Sequence, residues 1–245
     1  NPGALAPRGM INVSPFNVSG TQNSFEKDSR WLSTPYVYEN TFLTGFSHVN
    51  LSGVGCPDLG VIITMPTTGA LVTDPRKYGS TYSNEAAKAG YYSSSLNKYD
   101  VKVEATATTR TGVSNYFFPK GKSNILINLG LGLTNEQGGS LKVVSSTEIE
   151  GIRHVGSFCY YKAEESYPLY FVAKFSKPSN EFGIWENSAK QKGVESHWMP
   201  YNGKTRLYKN YRKEIIGDSI GAYMRYDFKE PTSVEVKIAV SYVSI

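Results

Sequence analysis

Residues 45–69 carry the side chains of this chain that are best suited to binding chemistry. The run reads GFSHVNLSGVGCPDLGVIITMPTTG, with His48, Cys56 and Asp58 in a glycine-rich loop ahead of an apolar stretch. Glycines let a backbone adopt turns that residues with a Cβ resist, and loops on a rigid scaffold often carry binding groups. We therefore expect a binding site beside this loop.

No spacing in the chain specifies a nucleophilic active site. The histidines are His48, His154 and His197, and there is no Gly-x-Ser-x-Gly motif for any of them to serve. Cys56 and His48 would form a thiolate pair only if folding brought their side chains together. A small packing thiol in a turn is the simpler interpretation of Cys56.

Carboxylates and metal-binding motifs give no stronger signal. Hydrolysis of a glycosidic bond needs two carboxylates across a pocket. Asp28, Glu39 and Asp58 lie near the loop, but nothing marks which pair would act, and solvated surface groups are the simpler interpretation. No Cys-x-x-Cys, His-x-x-x-His or Asp-x-Asp spacing occurs, so the sequence contains no recognisable metal motif.

The tryptophans are more suggestive of a ligand. Trp31, Trp185 and Trp198 all stand beside polar or charged residues. An exposed aromatic face next to hydrogen-bonding groups suits a sugar ring, which has an apolar face and polar edges. The alternative is that each tryptophan fills a gap in the core or covers a sheet edge, and the sequence leaves both interpretations open.

Composition excludes two classes of partner. The chain has 245 residues and a net charge of +5, from 26 Lys and Arg against 21 Asp and Glu. It has no long run of like charges that would mark a nucleic-acid arm, and no apolar segment long enough to span a membrane. It begins abruptly at Asn1 without a signal peptide, so we expect an excised or processed piece of a longer protein.

Residue usage predicts the fold class. Tyr, Phe and Gly number 18, 11 and 23, which together with many Val and Thr is typical of strands. Residues 99–108 alternate, with Val101 and Val103 on one face and Lys102 and Glu104 on the other. Many strands joined by short turns favour antiparallel pairing. We predict an all-β fold, a large two-sheet antiparallel β-sandwich that forms a single domain over the whole chain.

Two stretches depart from this pattern. Residues 84–88 are predicted to form one helical turn, which Gly90 would end. Residues 188–218 show weak periodicity and many polar and aromatic side chains, so we expect a long excursion over the sandwich.

Several motifs together resemble a known family. They are Pro2-Gly3-Ala4, Pro7-Arg8-Gly9-Met10, Ser14-Pro15, Gly45-Phe46-Ser47-His48, Leu51-Ser52-Gly53-Val54-Gly55-Cys56, Met65-Pro66-Thr67, Asn84-Glu85-Ala86-Ala87 and Gly90-Tyr91-Tyr92. Over nearly its whole length the chain resembles the N-terminal domain of glycoside hydrolase family 92, the calcium-dependent exo-acting α-mannosidases. Asn50 replaces the second histidine of the family's His-x-His pattern, and Ala89 replaces the proline before Gly-Tyr-Tyr.

The resemblance implies a galactose-mutarotase-like supersandwich that packs on an (α/α)6 barrel following residue 245. That barrel would supply the catalytic acid, the catalytic base and most calcium ligands. By this resemblance the present chain has no catalytic residue and no metal ligand of its own, and we expect that alone it does not turn over substrate.

The resemblance also implies a role for the loop. The N-terminal domain would complete the pocket and touch the leaving-group sugar, with calcium helping to distort the terminal mannose and a base-activated water attacking with inversion. In such a site the carboxylates stand roughly 6.5–9.5 Å apart. The residues expected in the pocket wall are Arg30, Trp31, His48, Asn50, Gly55, Cys56 and Asp58.

Two functional hypotheses follow. In the first, the chain is part of a periplasmic or secreted bacterial enzyme that releases α-1,2-linked mannose from mannose-containing glycans. In the second, it is a free-standing carbohydrate-binding β-sandwich without catalytic activity. Linkage, oligomeric state and any role of Cys56 beyond packing stay open at this point.

Overall fold

The structure is a computed structural model that describes residues 2–18, 34–51, 58–133, 138–156, 165–187 and 205–245. Within these residues the chain forms twenty strands and one short helix. The elements are β1 Ala4–Leu5, β2 Asn12–Pro15, β3 Phe42–Leu43, β4 Phe46–Ser47, β5 Val49–Asn50, β6 Leu59–Val61, β7 Ile63–Thr68, α1 Pro75–Tyr78, β8 Ser80–Lys88, β9 Tyr91–Leu96, β10 Val101–Ala107, β11 Thr111–Phe118, β12 Gly121–Asn128, β13 Gly139–Ser145, β14 Glu148–Gly156, β15 Ser166–Phe175, β16 Glu181–Asn187, β17 Thr205–Lys209, β18 Glu214–Gly217, β19 Ile220–Phe228 and β20 Thr232–Ser241.

Two large sheets build the molecule. The first has eight strands in the order β1-β2-β4-β7-β12-β19-β16-β17, and the second has ten in the order β18-β13-β14-β15-β20-β11-β10-β9-β8-β3. A small third sheet pairs β5 with β6. Neighbouring strands are antiparallel, as in the central β12–β19 and β11–β20 pairs. The predicted all-β, two-sheet antiparallel sandwich is therefore confirmed.

Period-2 patterning explains the second sheet. In β10 the side chains of Val101, Val103 and Ala105 are buried, whereas Lys102 and Thr106 are exposed. The inner residues join one hydrophobic cluster to which both large sheets contribute. Because a one-residue slip would turn the whole apolar set towards solvent, this alternation fixes the register of the sheet.

The first sheet is buried on both faces at its centre. From Ser123 to Asn128, every side chain of β12 is buried, including polar ones. Asn128 Nδ2 donates to the hydroxyl of Tyr78, which is the last residue of α1, at 2.9 Å. Asp74 caps the first turn of α1 by accepting from the backbone N–H of Arg76 at 3.1 Å. The helix thus covers polar groups of β12 that would otherwise face solvent.

The helical turn predicted at residues 84–88 is wrong, because these residues lie in β8. A register shift between Ser83 and Ala86 marks a β-bulge, and Asn84 at its centre has a φ of 51°. Helix-forming residue types are overridden here by pairing with β9. Gly90, with a φ of 75°, then makes the tight turn into β9.

The predicted excursion at residues 188–218 is corrected in part. Residues 188–204 lie outside the described residues, but β17 and β18 are strands at the edges of the two sheets. β17 buries no side chain and so lacks the alternation that predicts a strand, and β18 alternates over only four residues, around the buried Ile215. Among the described residues of this stretch, Arg206, Lys209, Arg212 and Lys213 are exposed, and Arg212 stacks on the ring of Tyr208 at 4.7 Å.

Candidate functional site

Short strands position the glycine-rich loop. The segment β4–β5 enters the loop, and β6 leaves it and pairs with β5. The backbone between β4 and β5 is fixed on both sides, since His48 N donates to Val61 O at 3.0 Å and Asn12 N donates to His48 O at 3.2 Å. The two ends of the loop are thereby held side by side against the sandwich.

His48 lies wholly inside the sandwich. Its Nδ1 donates to the carbonyl of Ile62 at 2.8 Å, which makes Nδ1–H the tautomer consistent with this bond. An ideal Cβ at Gly112, on β11 of the opposite sheet, would stand 3.1 Å from the His48 ring and 2.7 Å from Val13. Only glycine therefore leaves room for the imidazole between the two sheets.

Burial makes this imidazole neutral. Loss of solvent lowers the pKa of His48 from 6.5 to about 4, and the carbonyls of Ile62 and Phe46 offset only part of that effect. Since the side chain is enclosed, it contacts only the interior of the sandwich and the backbone of the loop end.

Residues 59–62, which comprise β6 and Ile62, leave the loop, and we call them the return strand. Three of these residues have left-handed backbone conformations. Leu59, Gly60 and Ile62 have φ values of 60°, 65° and 55°. This region is unusual for a β-branched residue such as Ile62, and such conformations persist where the surroundings over-determine them. The bond from His48 to the Ile62 carbonyl is one such restraint. A second cluster of buried side chains packs beneath this strand: Phe16, Val18, Val37, Ile63, Leu131 and Leu133.

Asn50 joins a polar group at the edge of the first sheet. Its Nδ2 donates to the carbonyl oxygen of Asn12 at 3.3 Å and also to the Asn12 side-chain oxygen. Ser47 Oγ lies 2.8 Å from Asn50 Oδ1 and 3.3 Å from the carbonyl oxygen of Ser14. Asn50 is thus held in one orientation at the entrance of the loop.

Asp58 ends the loop, and its charge contributes to the raised pKa of Tyr167 and of Tyr242. Its side chain is 3% exposed, and Oδ1 accepts from the backbone N–H of Leu59 at 2.7 Å. The rings of Tyr167 and Tyr242 are 5.6 Å apart, and both remain partly exposed, at 40% and 37%. Burial, the Tyr167 hydroxyl and then the Asp58 charge raise the pKa of Tyr242 to about 12. Two neighbouring rings that are partly exposed can cover the apolar face of a sugar, whereas the Asp58 carboxylate is buried and bonded to the backbone.

Sequence reasoning missed this tyrosine pair. Tyr242 extends the period-2 pattern of β20, which predicts that its side chain points into the core. Tyr167 lies more than a hundred positions from Asp58 along the chain. The only sequence signal is aromatic residues at the same end of two strands, and the pairing of β15 with β20 is needed to bring those ends together.

A buried cation lies close to Leu59, the first residue of β6. Arg153 on β14 is 1% exposed, and its NH1 donates to the carbonyl oxygen of Gly138 at 3.4 Å. An ideal Cβ at Gly132 would stand 3.8 Å from its NH2 and 3.6 Å from the carbonyl oxygen of Leu59. The neighbouring Leu133 N donates to the same Leu59 carbonyl at 2.9 Å, so the segment after β12 supports the end of the loop.

The remaining predicted site residues are Arg30, Trp31, Gly55 and Cys56, and all lie outside the described residues. Trp198 does too. Trp185 is fully buried and packs against Gly221, where an ideal Cβ would stand 2.0 Å from the ring. The alternative of a core-filling role is therefore correct for Trp185.

Metal and membrane signals are absent from the parts described. No group of three or more His, Cys, Asp or Glu side chains among those residues could hold a metal ion. No helix in the described ranges is long and apolar enough to cross a membrane.

The chain matches the model of one known protein family over nearly its whole length. The model of the glycosyl hydrolase family 92 N-terminal domain matches residues 1–241. The family GH92 α-mannosidase BT3965 from Bacteroides thetaiotaomicron, solved with mannoimidazole, is similar with a TM-score of 0.75 and 27% identity over 99% of this chain and 30% of its own. Without that ligand, the same α-mannosidase gives a TM-score of 0.76 and 27% identity over 99% of this chain and 31% of its own.

A further solved structure, with lower sequence identity, shows similarity of the fold alone. The family GH92 inverting mannosidase BT2199 from Bacteroides thetaiotaomicron VPI-5482 has a TM-score of 0.71 and 21% identity, over 99% of this chain and 28% of its own. This chain thus spans less than a third of the length of these solved proteins. No curated protein matches it.

Proposed function

Because this chain belongs to glycosyl hydrolase family 92, whose N-terminal domain model it matches over residues 1–241, we propose that it forms part of an inverting exo-α-mannosidase. The substrate is a glycan that ends in α-1,2-linked mannose. The domain lines the leaving-group side of the pocket, and the rest of the protein, an (α/α)6 barrel, carries the catalytic acid and base. The single observation that carries this proposal is the family match over nearly the whole chain.

The geometry of the loop supports a wall rather than a catalytic centre. The rings of Tyr167 and Tyr242 are partly exposed and 5.6 Å apart, which suits the apolar face of a sugar. The N–H of Leu59 holds Asp58 at the end of the loop. His48 holds the return strand from inside, and Asn50 is fixed at the loop entrance. In this proposal Arg30, Trp31, Gly55 and Cys56 complete the wall.

Calcium, when bound by the rest of the protein, stabilises a distorted terminal mannose. The residues of this chain orient the leaving-group sugar and exclude water from that side of the pocket. A periplasmic or exported location goes with such a substrate, since glycans of this kind are met outside the cytoplasm.

The first test is mannose release from α-1,2-linked mannobiose, with and without a calcium chelator. The 245-residue chain is compared with the product of its whole reading frame. We expect release that the chelator abolishes from the longer product, and none from the shorter chain because a single domain lacks the acid and base.

Two results would contradict the proposal. If neither product releases mannose, the mannosidase assignment fails, and a sugar-binding sandwich becomes the working hypothesis. If the 245-residue chain alone releases mannose, its acid and base lie within it, and the division of roles is wrong.

A further inference from the structure

An open groove of about 800 Å³ lies on the second sheet, where several of its strands end. A volume of this order is typical of ligand sites. It is lined by Ser83, Asn84, Ser95, Leu96, Asn97, Asp100, Val101, Lys102, Phe117, Phe118, Pro119, Pro231, Thr232 and Ser233. None of these residues belongs to the glycine-rich loop or to the tyrosine pair.

One cross-strand row forms the floor of the groove. Ser83 pairs with Ser95, Ser95 with Lys102, Lys102 with Phe117, and Phe117 with Ser233. The side chains of Ser95, Lys102 and Phe117 lie on the outer face of the sheet, because their neighbours along each strand, such as Val103 or Tyr116, are buried. Ser83 and Ser233 are cross-strand partners at the two ends of this row. Four steps between strands give the row a length of about 19 Å.

The bulge in β8 shapes one wall. Asn84 has a φ of 51°, and its Nδ2 reaches Ser95 Oγ at 3.4 Å. Ser83 Oγ donates to Asn97 Oδ1 at 2.6 Å, and Asn97 Nδ2 donates to the hydroxyl of Thr81 at 3.3 Å. Bulges commonly re-aim side chains at binding sites. Here a bulge turns a set of amides and hydroxyls towards one surface and fixes their orientation.

The charge of the groove floor is balanced. Lys102 Nζ lies 2.7 Å from Glu104 Oε1 and 5.4 Å from the centre of the Phe117 ring. Its charge therefore has an acidic partner on the same strand, and the carboxylate of Asp100 lines the same groove. An anionic ligand would need unpaired cations, whereas neutral hydroxyls can both donate to and accept from the serines and asparagines.

The groove is separate from the candidate site. Gly112, which packs against His48, and Phe117 lie on the same strand five positions apart, or about 17 Å. Gly112 faces the interior and Phe117 faces outwards. The groove and the packing of His48 against Gly112 therefore lie on opposite faces of the second sheet.

We infer that this groove binds a neutral oligosaccharide chain, with one sugar over Phe117 and its neighbours along the row of serine hydroxyls and asparagine amides. The site holds glycan without cleaving it. For the choice of sugar the inference rests on the proposed function, so the ligand class is a mannose-rich chain of several residues.

The test is calorimetric titration of the 245-residue chain with linear α-linked mannotetraose, together with amide shift mapping by NMR. We expect saturable binding, with shifts centred on Ser95, Lys102 and Ser233. Phe117→Ser should weaken binding about tenfold or more, because it removes the ring surface under the sugar. Val113→Ser is the matched control, since Val113 lies on the same strand and face but outside the groove.

Each outcome decides the inference. Absence of saturable binding by the folded chain, equal affinity of Phe117→Ser and the parent, or shifts confined to residues 45–58 would overturn it. In the whole enzyme, the control variant Val113→Ser should leave the rate on mannobiose unchanged. Loss of that activity in the parent protein would refute the proposed function, while binding in the groove would still stand on its own.

Discussion

At the scale of single residues, His48 shows how a buried ionisable group can organise a loop. Its Nδ1–H satisfies the carbonyl of Ile62, a residue whose backbone is left-handed. An unpaired buried carbonyl would cost roughly 1–3 kcal/mol. The bond therefore supports a backbone shape on which the position of Asp58 depends.

His48 also makes stability depend on pH. Its pKa is about 4 in the folded chain against 6.5 when solvated, so the unfolded chain takes up a proton first as the pH falls. The resulting stabilisation is complete above pH 6.5 and is lost as the pH falls through 4. A shift of this size corresponds to about 3 kcal/mol.

Urea unfolding at a series of pH values between 7 and 4 measures this effect. His48→Asn keeps an N–H donor but cannot titrate, so its free energy of unfolding should fall by about 3 kcal/mol less than that of the parent over this range. Equal slopes in the two proteins would show that another group is responsible.

At the scale of elements, the return strand depends on a glycine that is both twisted and enclosed. Gly60 has a φ of 65°, and a Cβ there would stand 2.7 Å from Leu133. Gly69, at the end of β7, has a φ of 81° but nothing within 4 Å of its Cβ position. Both glycines have a positive φ, but only Gly60 has other atoms close to its Cβ position.

This difference gives a matched pair of variants. Gly69→Ala should lower the free energy of unfolding by about 1–2 kcal/mol, through backbone conformation alone. Gly60→Ala should lower the free energy of unfolding by about 1–3 kcal/mol more than Gly69→Ala does, because its Cβ would overpack against Leu133. Denaturant titration of both proteins measures the gap, and equal losses would mean that Leu133 moves aside at no cost.

Elements also show what the sequence could reveal. The alternation of Val101 and Val103 with Lys102 predicted β10 and its facing, because burial on one face leaves a period-2 record. Residues 84–88 were predicted as helix because their residue types favour it, yet pairing with β9 decides their state. The edge strand β17 buries no side chain, and β18 buries only Ile215 over four residues, so neither gives a clear period-2 pattern in the sequence.

The site was predictable only in part for the same reason. The glycine-rich loop is contiguous in sequence, so His48, Asn50 and Asp58 could be identified together. Tyr167 and Tyr242 come together only through the pairing of β15 with β20. No local pattern records such a long-range contact.

At the scale of the whole molecule, both large sheets share one core. Ile238 of β20 and Ile125 of β12 belong to the same buried cluster. Neither sheet has an apolar interior of its own, so each depends on the other to exclude water.

A shared core predicts one cooperative unfolding transition for the described sandwich. Ile238→Ala should lower the free energy of unfolding by about 2–5 kcal/mol without splitting that transition. Circular dichroism and fluorescence of the buried Trp185 should give coincident curves. Two separate midpoints would instead indicate that the sheets unfold independently.

The order of strands in the two sheets has a consequence for solubility at high concentration. Among the described residues the outermost strands are β1, β17, β18 and β3, with lengths of 2, 5, 4 and 2 residues. Long bare edges are templates for edge-to-edge aggregation, and short or charged edges oppose it. β17 also carries Arg206 and Lys209, whose charges oppose pairing with a strand from another molecule. We therefore expect the two sheets to resist edge-to-edge aggregation and amyloid formation.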